Sequence, residues 1–287
     1  MLTGMTGFIG SHLAMKLLEE QDVSWEVHAV VRESSSLEDL PDLLRNRVIF
    51  HVHPHSGSLV EIVKSAEPDI VIHLASLFLS QHRYEDIEDL LESNVIFGTK
   101  LLEAMKQAEV RNFINVGTAW QHYRDEDYNP VNLYAASKQA FEDILHYYRE
   151  TADLKVITLK LFDTYGSGDK RRKLMALLGE TAQSGECLKM SPGEQKIDMV
   201  HVDDVTAAFR LAMRYLLDGR YEFCGTYAVS TGHPIFLKEL VRRYETIIER
   251  PIRIEWDGRP YREREVMQPW SKGRLLPGWE RIHRELM

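Results

Sequence analysis

Cysteine is nearly absent from this sequence, with only Cys187 and Cys224 in 287 residues. Two thiols are too few for a disulfide framework, and their scarcity favours a reducing environment. We therefore predict a cytoplasmic protein. Uninterrupted apolar runs of the roughly 20 residues that a membrane span needs are also missing. The N-terminus lacks the basic segment followed by an apolar one that marks a signal peptide. We therefore expect no membrane partner.

The sequence also has no excess of positive charge. Its 35 Lys and Arg residues face 44 Asp and Glu residues, which gives a formal net charge of -9. A nucleic-acid-binding surface needs a local excess of Lys and Arg, so the composition argues against a nucleic-acid partner. A hydrophobic content of 44% with 28% charged residues is typical of a folded globular protein.

What the sequence does contain is an alternation of short apolar runs with helically spaced segments. Between the runs, apolar residues recur one helical turn apart, as at Ile9, Leu13 and Leu17. The runs are rich in Val and Ile and nearly continuous in apolar character, as strands buried on both faces are. They fall at 25–31, 48–52, 70–74, 113–116 and 156–162. This order predicts an α/β fold with a doubly wound parallel sheet covered by helices on both sides.

The strongest local motif is a G-x-x-G-x-x-G formed by Gly4, Gly7 and Gly10, which opens directly into a helix. Glycines allow a tight turn, a close backbone approach to a pyrophosphate and close packing of helix on strand. The helix N-terminus adds free N–H groups and a favourable dipole for the anion. Only three residues precede Gly4, so the central strand is either short or replaced by another segment. We expect a lower stability as a result.

The chain divides after the last of the predicted strands. Loops rich in Gly, Lys and Arg follow, then one more long helix at 203–217, a strand near 227–229 and an irregular tail. We predict a Rossmann-type dinucleotide-binding domain at 1–165, with returns from about 197–230. A smaller C-terminal substrate-binding lobe would occupy mainly 166–287.

The end of the second predicted strand bears on the choice of dinucleotide. Arg32 suits the 2′-phosphate of NADP(H), with Ser34 and Ser35 nearby. Glu33 keeps NAD(H) open, because an acidic residue there accepts hydrogen bonds from the adenosine ribose. The sequence favours NADP(H).

A Y-x-x-x-K motif, Tyr134 to Lys138, begins the next predicted helix. Its spacing puts both side chains on one helix face. A phenol has a pKa near 10, and a neighbouring ammonium lowers the pKa by favouring the phenolate. Thr118 follows the strand at 113–116, at the edge where open parallel sheets bind ligands. We predict Thr118, Tyr134 and Lys138 as a catalytic set that acts on a carbonyl or hydroxyl.

In these motifs the sequence resembles the extended short-chain dehydrogenase/reductases, the NAD-dependent epimerase/dehydratase family that acts on nucleotide sugars. Beyond Tyr134 and Lys138, the matching segments are Thr3-Gly4-Met5-Thr6-Gly7-Phe8-Ile9-Gly10, Asp69-Ile70-Val71-Ile72-His73-Leu74-Ala75, Asn94-Val95-Ile96-Phe97-Gly98-Thr99, Leu161-Phe162-Asp163-Thr164-Tyr165-Gly166 and His201-Val202-Asp203-Asp204-Val205. The short connection from Thr118 to Tyr134 most resembles the 4-ketoreductase branch, such as the CDP-abequose and CDP-paratose synthases.

The resemblance implies a set of site residues. Those expected at the cofactor are Gly4, Thr6, Gly7, Phe8, Ile9, Gly10, Arg32, Leu74, Ala75, Ser76, Asn94, Tyr134, Lys138 and Leu161. Those expected at a nucleotide-sugar substrate are Thr118, Ala119, Trp120, Asp163, Lys173, Gln195 and Arg259. A homodimer is also implied, formed through the helices near 90–105 and 133–149.

Two positions depart from the family pattern. Asp163 stands where the family has Asn, and its charge would repel a nucleotide diphosphate unless it is protonated or turned away. Ile197 stands where the family has an Arg that pairs with a phosphate. We expect Lys173, Lys196 or Arg259 to supply that charge instead.

Three functions stay open from the sequence. The first is reduction of the C4 keto group of a nucleotide-linked 4-keto-6-deoxy sugar, with Tyr134 as the proton donor. The second is a 4-epimerase with tightly bound NAD, and the third is a non-catalytic dinucleotide-binding sensor. A 4,6-dehydratase is disfavoured, because Ala119 and Trp120 occupy the positions where that branch has Asp-Glu.

We predict no metal site from the sequence. His51, His53 and His55 alternate and could share one face of an extended segment, as zinc ligands can. Pro54 breaks the regular geometry that such a site would need. A strand end beside the adenine pocket is the interpretation we prefer.

Overall fold

The main sheet of the protein is parallel, and the candidate site lies at the carboxyl ends of its strands. A computed structural model describes residues 1–54, 58–171 and 173–283. Its strands are β1 (Leu2–Thr3), β2 (Val27–Arg32), β3 (Val48–His53), β4 (Val71–His73), β5 (Asn112–Thr118), β6 (Lys155–Leu161), β7 (Asp163–Tyr165), β8 (Leu188–Lys189), β9 (Lys196–Ile197), β10 (Met199–His201), β11 (Gly225–Val229), β12 (Ile235–Phe236) and β13 (Ile254–Glu255).

Helices cover the sheet and build a second layer of structure beyond it. They are α1 (Phe8–Leu18), α2 (Asp42–Arg47), α3 (Leu59–Ala66), α4 (Ile87–Leu91), α5 (Phe97–Gln107), α6 (Leu133–Thr151), α7 (Leu174–Ser184), α8 (Val202–Leu217) and α9 (Leu237–Ile248). A π-helical turn, Glu92–Ile96, joins α4 to α5. None of the described helices is long and apolar enough to cross a membrane.

Seven parallel strands form the main sheet in the spatial order β11-β6-β5-β4-β1-β2-β3. The predicted α/β fold is confirmed, and each predicted strand is present with ends shifted by one or two residues. The chain reverses its direction across the sheet between β1 and β4. In open parallel sheets, ligands bind at this switch point, outside the carboxyl ends of the strands.

The short first strand itself occupies the centre of the sheet. Leu2 and Thr3 pair with β2 on one side and with β4 on the other. The Met1 carbonyl accepts a hydrogen bond from Ile72 N (2.9 Å), and the Thr3 carbonyl accepts one from Leu74 N (3.2 Å). No other described segment replaces the strand, and the expected loss of stability stays a prediction.

The later part of the chain contains more regular structure than the sequence predicted. The expectation of one helix after residue 162 was wrong, because α7 and α9 are present as well as α8. Apolar residues at helical spacing, such as Leu237, Leu240, Val241 and Tyr244, carried the signal for α9. Three two-stranded sheets, β7 with β10, β9 with β12 and β8 with β13, were also missed. Strands of two or three residues are too short to show a period.

Three clusters of buried side chains hold these layers together. The first two cover the two faces of the main sheet, and the first includes Leu276 and Trp279 from near the end of the chain. The third lies among α7, α9 and the small strands, around Leu178, Met190 and Leu240. The separate third cluster gives a small lobe a core of its own beside the sheet, and the domain limits given above stay a prediction.

Candidate active site

The glycine loop packs so tightly that two of its glycines have no room for a side chain. Gly4 adopts a φ of +69°, and a Cβ there would lie 2.6 Å from Ala75 N. A Cβ on Gly10 would lie 2.7 Å from the Met5 Cα and closer still to the Gly4 carbonyl oxygen. A Cβ on Gly7 would meet only the Gly4 oxygen, at 3.2 Å. Gly7 therefore presents an open side to the cleft that it lines.

The first turn of α1 begins directly after this loop. Its N-cap, Gly7, contributes no side-chain cap, and the described first turn holds no acidic residue. The N–H groups of a helix start that lacks a side-chain cap are available to an anion, and the helix dipole favours negative charge there. The Arg171 guanidinium lies 4.7 Å from the Phe8 ring centroid at the same place. The arrangement fits the pyrophosphate of a dinucleotide.

Asn94 holds the loop after β4 against α6. Its Oδ1 accepts hydrogen bonds from Leu77 N (2.7 Å) and Ser76 Oγ (3.0 Å), and its Nδ2 donates to the Leu77 carbonyl and to Ser137 Oγ (both 3.0 Å). Ser137 in turn donates to the Tyr134 carbonyl (2.8 Å). The Asn94 amide thus fixes Ser76 relative to Tyr134 from a fully buried position.

Thr118 ends β5 and caps the turn that follows. Its Oγ1 accepts a hydrogen bond from Trp120 N (3.2 Å), and its own N–H donates to Gln121 Oε1 (2.9 Å). The buried Gln121 Nε2 also donates to Gln139 and Glu142 on α6. Because Thr118 is hydrogen-bonded to both Trp120 and Gln121, its hydroxyl is held at the cleft wall. The hydroxyl proton remains available to donate.

The Tyr134 phenol is kept in its protonated form. Burial raises its pKa to about 12, although a hydrogen bond with Ser76 and the positive charge of Arg171 act in the opposite direction. This direction is opposite to the lowering that the sequence predicts, because removal from water outweighs the nearby positive charge. A phenol with this pKa is a proton donor at neutral pH.

Lys138 lies one turn along α6 from the half-buried Tyr134 and is itself buried. Burial lowers its pKa to about 8, and Glu142 acts against that shift. Glu142 Oε2 lies 3.4 Å from Lys160 Nζ on β6, and Lys160 Nζ lies 2.9 Å from His122 Nε2. Glu142 is thus paired with Lys160, and its charge also favours the charged form of Lys138.

An aromatic pair lines the cleft next to the phenol. The Phe78 ring meets Tyr134 edge-on at 5.0 Å and lies 5.6 Å from the Trp120 ring. Lys173 Nζ lies 5.0 Å from the Phe78 ring centroid. Trp120 was noted in the sequence, whereas Phe78 was missed because nothing in its surroundings distinguishes it from a core residue.

Several cations and two polar groups, Asp163 and Gln195, form what we call the cationic wall of the cleft. The lining cations are Arg171, Lys173, Lys189, Lys196, Arg259, Arg262 and Arg264. Burial raises the pKa of Asp163, with Lys173 and Arg262 among the charges that oppose the shift. Gln195 donates to Ser191 (3.1 Å), and its buried Oε1 has no hydrogen-bond partner within the described part of the chain. Such a wall suits an anionic ligand that also carries a hydrogen-bond donor.

One cleft of about 700 Å³ brings most of the predicted site residues together. It is lined by Gly4, Gly7, Phe8, Ile9, Gly10, Leu74, Ser76, Thr118, Ala119, Trp120, Tyr134, Lys138, Leu161, Asp163, Lys173, Gln195 and Arg259. Within the described ranges, the other four predicted residues lie outside this lining: Thr6, Arg32, Ala75 and Asn94.

These four residues have other places near the site. Ala75 N donates to Thr3 Oγ1 (3.2 Å), so it packs the loop onto the sheet. Thr6 is exposed within the glycine loop, and Arg32 is exposed at the carboxyl end of β2. The cations Arg262 and Arg264 were missed by the sequence analysis, because spacing along the chain does not indicate which surface arginines face a cleft.

The histidines considered as zinc ligands do not form a metal cluster among the described residues. His51 Nε2 lies 2.8 Å from His28 Nδ1, and His53 is buried at the end of β3. His55 lies outside the described residues.

A parallel sheet in this order, a glycine loop at its switch point and a Tyr-x-x-x-Lys helix beside it define a Rossmann-type dinucleotide-dependent enzyme. The chain belongs to the NAD dependent epimerase/dehydratase family, whose model matches residues 1–222. It is thus an NAD-dependent enzyme of the extended short-chain dehydrogenase/reductase type.

Characterised relatives resemble the chain over nearly its whole length. CDP-abequose synthase of Yersinia pseudotuberculosis is 28% identical over 279 residues, which are 96% of this chain and 93% of that protein. CDP-abequose synthase of Salmonella typhimurium is 27% identical over 97% of this chain and 92% of its own length. UDP-glucose 4-epimerase of Thermotoga maritima, solved with UDP-glucose, has a TM-score of 0.79 at 23% identity, covering 98% of this chain and 93% of that one. The last likeness shows the fold.

Proposed function

We propose that this enzyme reduces the C4 keto group of a nucleotide-linked 4-keto-6-deoxy sugar with a nicotinamide cofactor. The observation that carries the proposal is the half-buried Tyr134, whose raised pKa keeps it protonated in one cleft with Thr118. Reduction of a carbonyl needs a proton donor for the oxygen at the moment that negative charge develops there. The relatives named CDP-abequose synthase support this direction of reaction.

The residues of the chain fit the cofactor that the family implies. Gly4 and Gly10 form a turn that side chains cannot enter, and the first turn of α1 leaves N–H groups for a pyrophosphate. A bound nicotinamide supplies the hydride for the reaction. Leu74, Ser76 and Leu161, which line the same cleft, would border the cofactor.

Each catalytic side chain would have its own task during reduction. The Tyr134 phenol would donate its proton to the developing alkoxide, and the Thr118 hydroxyl would hold that oxygen by a hydrogen bond. The Lys138 ammonium would lower the cost of the phenolate that is left behind. Phe78 and Trp120 would cover the sugar and exclude water.

The cationic wall would bind the nucleotide diphosphate. The family's Arg is missing at Ile197, and Lys173, Lys196 and Arg259 on the cleft lining can take over its charge, together with Arg262. The raised pKa of Asp163 reduces the repulsion that an ionised carboxylate would exert on a phosphate. We propose that Gln195 Oε1 accepts a hydrogen bond from the substrate, since it lacks another partner among the described residues.

The coenzyme we propose is NADP(H). Arg32 is exposed at the end of β2, and a guanidinium pairs well with the 2′-phosphate of NADP(H). Replacement of Arg32 by Ala should weaken NADPH binding by about tenfold and leave NADH binding unchanged. Fluorescence titration of both coenzymes checks this. If the affinities for NADPH and NADH fall equally, or if neither falls, Arg32 does not determine the preference for NADPH.

A 4-epimerase is the second candidate, favoured by the likeness to solved 4-epimerases. The two functions differ in how the coenzyme is used. A reductase consumes one exchangeable NAD(P)H per turnover, whereas an epimerase retains NAD and returns it unchanged. Mixing the stripped protein with NADPH and a CDP-4-keto-6-deoxy sugar, then following absorbance and product, distinguishes them. Coenzyme oxidation matched by product supports reduction.

We also propose a homodimer through α4, α5 and α6. Leu91, Ile96 and Tyr147 are exposed apolar side chains on these helices or the turn between them. Leu91→Asp should shift the sedimentation coefficient from dimer to monomer. Leu217→Asp, at an exposed position on α8, is the matched control and should leave the dimer intact. A monomeric wild type would contradict the proposal.

A further inference from the structure

We propose that His201, Asp203 and His283 form a binding site for a divalent transition-metal ion that fastens the C-terminal segment to the start of α8. One potential ligand atom from each residue lies within 4.8 Å of the others. The site is separate from the catalytic cleft, whose described lining includes none of the three residues. The proposal does not depend on the reaction assigned above.

The distances from the Asp203 carboxylate to the two imidazoles are close to the ligand spacing around a tetrahedral ion. Asp203 Oδ2 lies 3.3 Å from His283 Nε2 and 3.7 Å from His201 Nδ1. Two ligands that each bind zinc at about 2.1 Å in tetrahedral geometry are about 3.4 Å apart. Each imidazole therefore lies at about ligand spacing from the carboxylate, and a water molecule would be the fourth ligand of an ion bound by all three side chains.

The backbone on both sides of the site is fixed without any metal. His201 ends β10 and Asp203 lies in the first turn of α8. The buried Asp204 carboxylate accepts hydrogen bonds from Ile282 N (2.6 Å) and His283 N (3.2 Å). The rings of His201 and His283 consequently lie against each other with their centroids 3.8 Å apart. To bind one ion, the two imidazoles would have to turn apart so that each directs a nitrogen lone pair at the metal, while the backbone already holds both residues beside the Asp203 carboxylate.

Three existing contacts compete with a metal. The first is the hydrogen bond between His283 Nε2 and Asp203 Oδ2 (3.3 Å), which an ion bound to both atoms would replace. Lys16 Nζ lies 3.4 Å from Asp203 Oδ1, which leaves Oδ2 for the ion. Asp203 N donates a long hydrogen bond of 3.2 Å to His201 Nδ1, and an ion would take that lone pair. The Lys16 charge would weaken cation binding, so its removal should strengthen it.

The donor set identifies the class of ion. Two neutral imidazoles and one carboxylate suit Zn²⁺, Co²⁺ or Ni²⁺ and not Ca²⁺ or Mg²⁺, which prefer oxygen ligands. The bound ion would link residue 283 to β10 and α8. It would also stiffen the neighbouring segment, because the Tyr165 ring meets the His201 ring edge-on at 5.2 Å. The sequence alone did not show the site, since His283 is far from the other two ligands along the chain.

The test is a titration of the untagged full-length chain with Co²⁺ after removal of metals by a chelator. We expect one equivalent to bind with the intense visible d–d absorption of four-coordinate Co²⁺, and Zn²⁺ to displace it. His283→Gln should weaken binding by about tenfold or more. His146→Gln, at an exposed position on α6, is the control and should bind as the wild type does.

Two further measurements distinguish loss of the metal site from loss of the fold. Lys16→Gln should bind Co²⁺ more tightly than the wild type, which a damaged fold would not produce. Zn²⁺ should raise the Tm of the wild type and not that of His283→Gln. The proposal is overturned if the wild type binds no equivalent of Co²⁺, or if His283→Gln binds it with the same affinity and spectrum.

Discussion

Gly10 on the first turn of α1 lies directly against the carbonyl oxygen of Gly4, with no space for a Cβ between them. The contact brings the helix start onto the turn that follows β1 and directs the free N–H groups of α1 towards the cleft. Gly7, between these two residues, has free space on its cleft side. The loop thus combines two glycines required for packing with one required for ligand access.

Two alanine substitutions should separate these roles. Gly10→Ala should destabilise the protein by about 2–3 kcal/mol, because backbone atoms must move to admit the Cβ. Gly7→Ala should cost less than about 1 kcal/mol, since its φ of -80° is open to alanine. It should nevertheless weaken coenzyme binding, because its methyl group enters the cleft. Urea unfolding and coenzyme titration of both variants measure these effects, and equal stabilities would contradict the packing argument.

Loss of the Tyr134 hydroxyl should stop turnover and spare coenzyme binding. We expect Tyr134→Phe to lower kcat by about 10²- to 10⁴-fold, the usual contribution of a positioned general acid. Coenzyme affinity should change by less than about threefold, since the ring and its contact with Phe78 remain. Steady-state assays and coenzyme titration check both values. Full activity in this variant would remove Tyr134 from the mechanism and reopen the sensor hypothesis.

The rate of reduction should fall as the pH rises above about 8. Lys138 must be positively charged to stabilise the phenolate, and its pKa is lowered to about 8 by burial. The Tyr134 phenol stays protonated through this range, because its pKa is raised to about 12. A pH profile of kcat between pH 6 and about pH 10 shows whether the single limb near 8 is present. A profile that stays flat to pH 10 would exclude Lys138 as the controlling group.

Lys138 should also lower the stability of the protein at neutral pH. Its pKa is 10.5 in the unfolded chain and about 8 in the folded one, so the unfolded state binds more protons between these values. The free energy of unfolding should therefore rise with pH through that window, and the cost below pH 8 is up to about 3 kcal/mol.

Lys138→Met should relieve this cost and abolish activity. We expect the variant to be more stable than the wild type at pH 7, with the difference smaller at about pH 9.5. Glu142 keeps a partner in Lys160 at 3.4 Å, so the substitution leaves no unpaired buried carboxylate. Urea unfolding at both pH values measures the difference. A variant less stable than the wild type at pH 7 would show that packing of the lysine stem outweighs its charge.

The sequence predicted the sheet well because its strands are buried on both faces. Runs such as Val156 to Leu161 are mostly apolar, and this composition indicates a buried strand even when the neighbouring strands are unknown. The site motifs were also visible, since Gly4, Gly10 and the Tyr134–Lys138 pair each depend on local spacing.

The parts that the sequence did not predict depend on contacts between distant segments. Asn94 stays a predicted cofactor residue, and the hydrogen bonds by which its amide fixes Ser76 could not be foreseen from the sequence. The raised pKa of Tyr134 follows from burial, which spacing alone cannot give. Arg262 and His283 reach their positions only after the tail packs against Asp204 and the cleft, so no local pattern identifies them.

The most direct test of the account is the reaction of stripped protein with NADPH and CDP-4-keto-6-deoxyglucose. We predict that NADPH is oxidised in equal amount to the sugar nucleotide consumed, with a C4 hydroxyl in the product, and that added NADPH exchanges freely. Tightly held NAD that survives purification, together with interconversion of C4 epimers and no net change in coenzyme, would contradict the reductase and establish an epimerase.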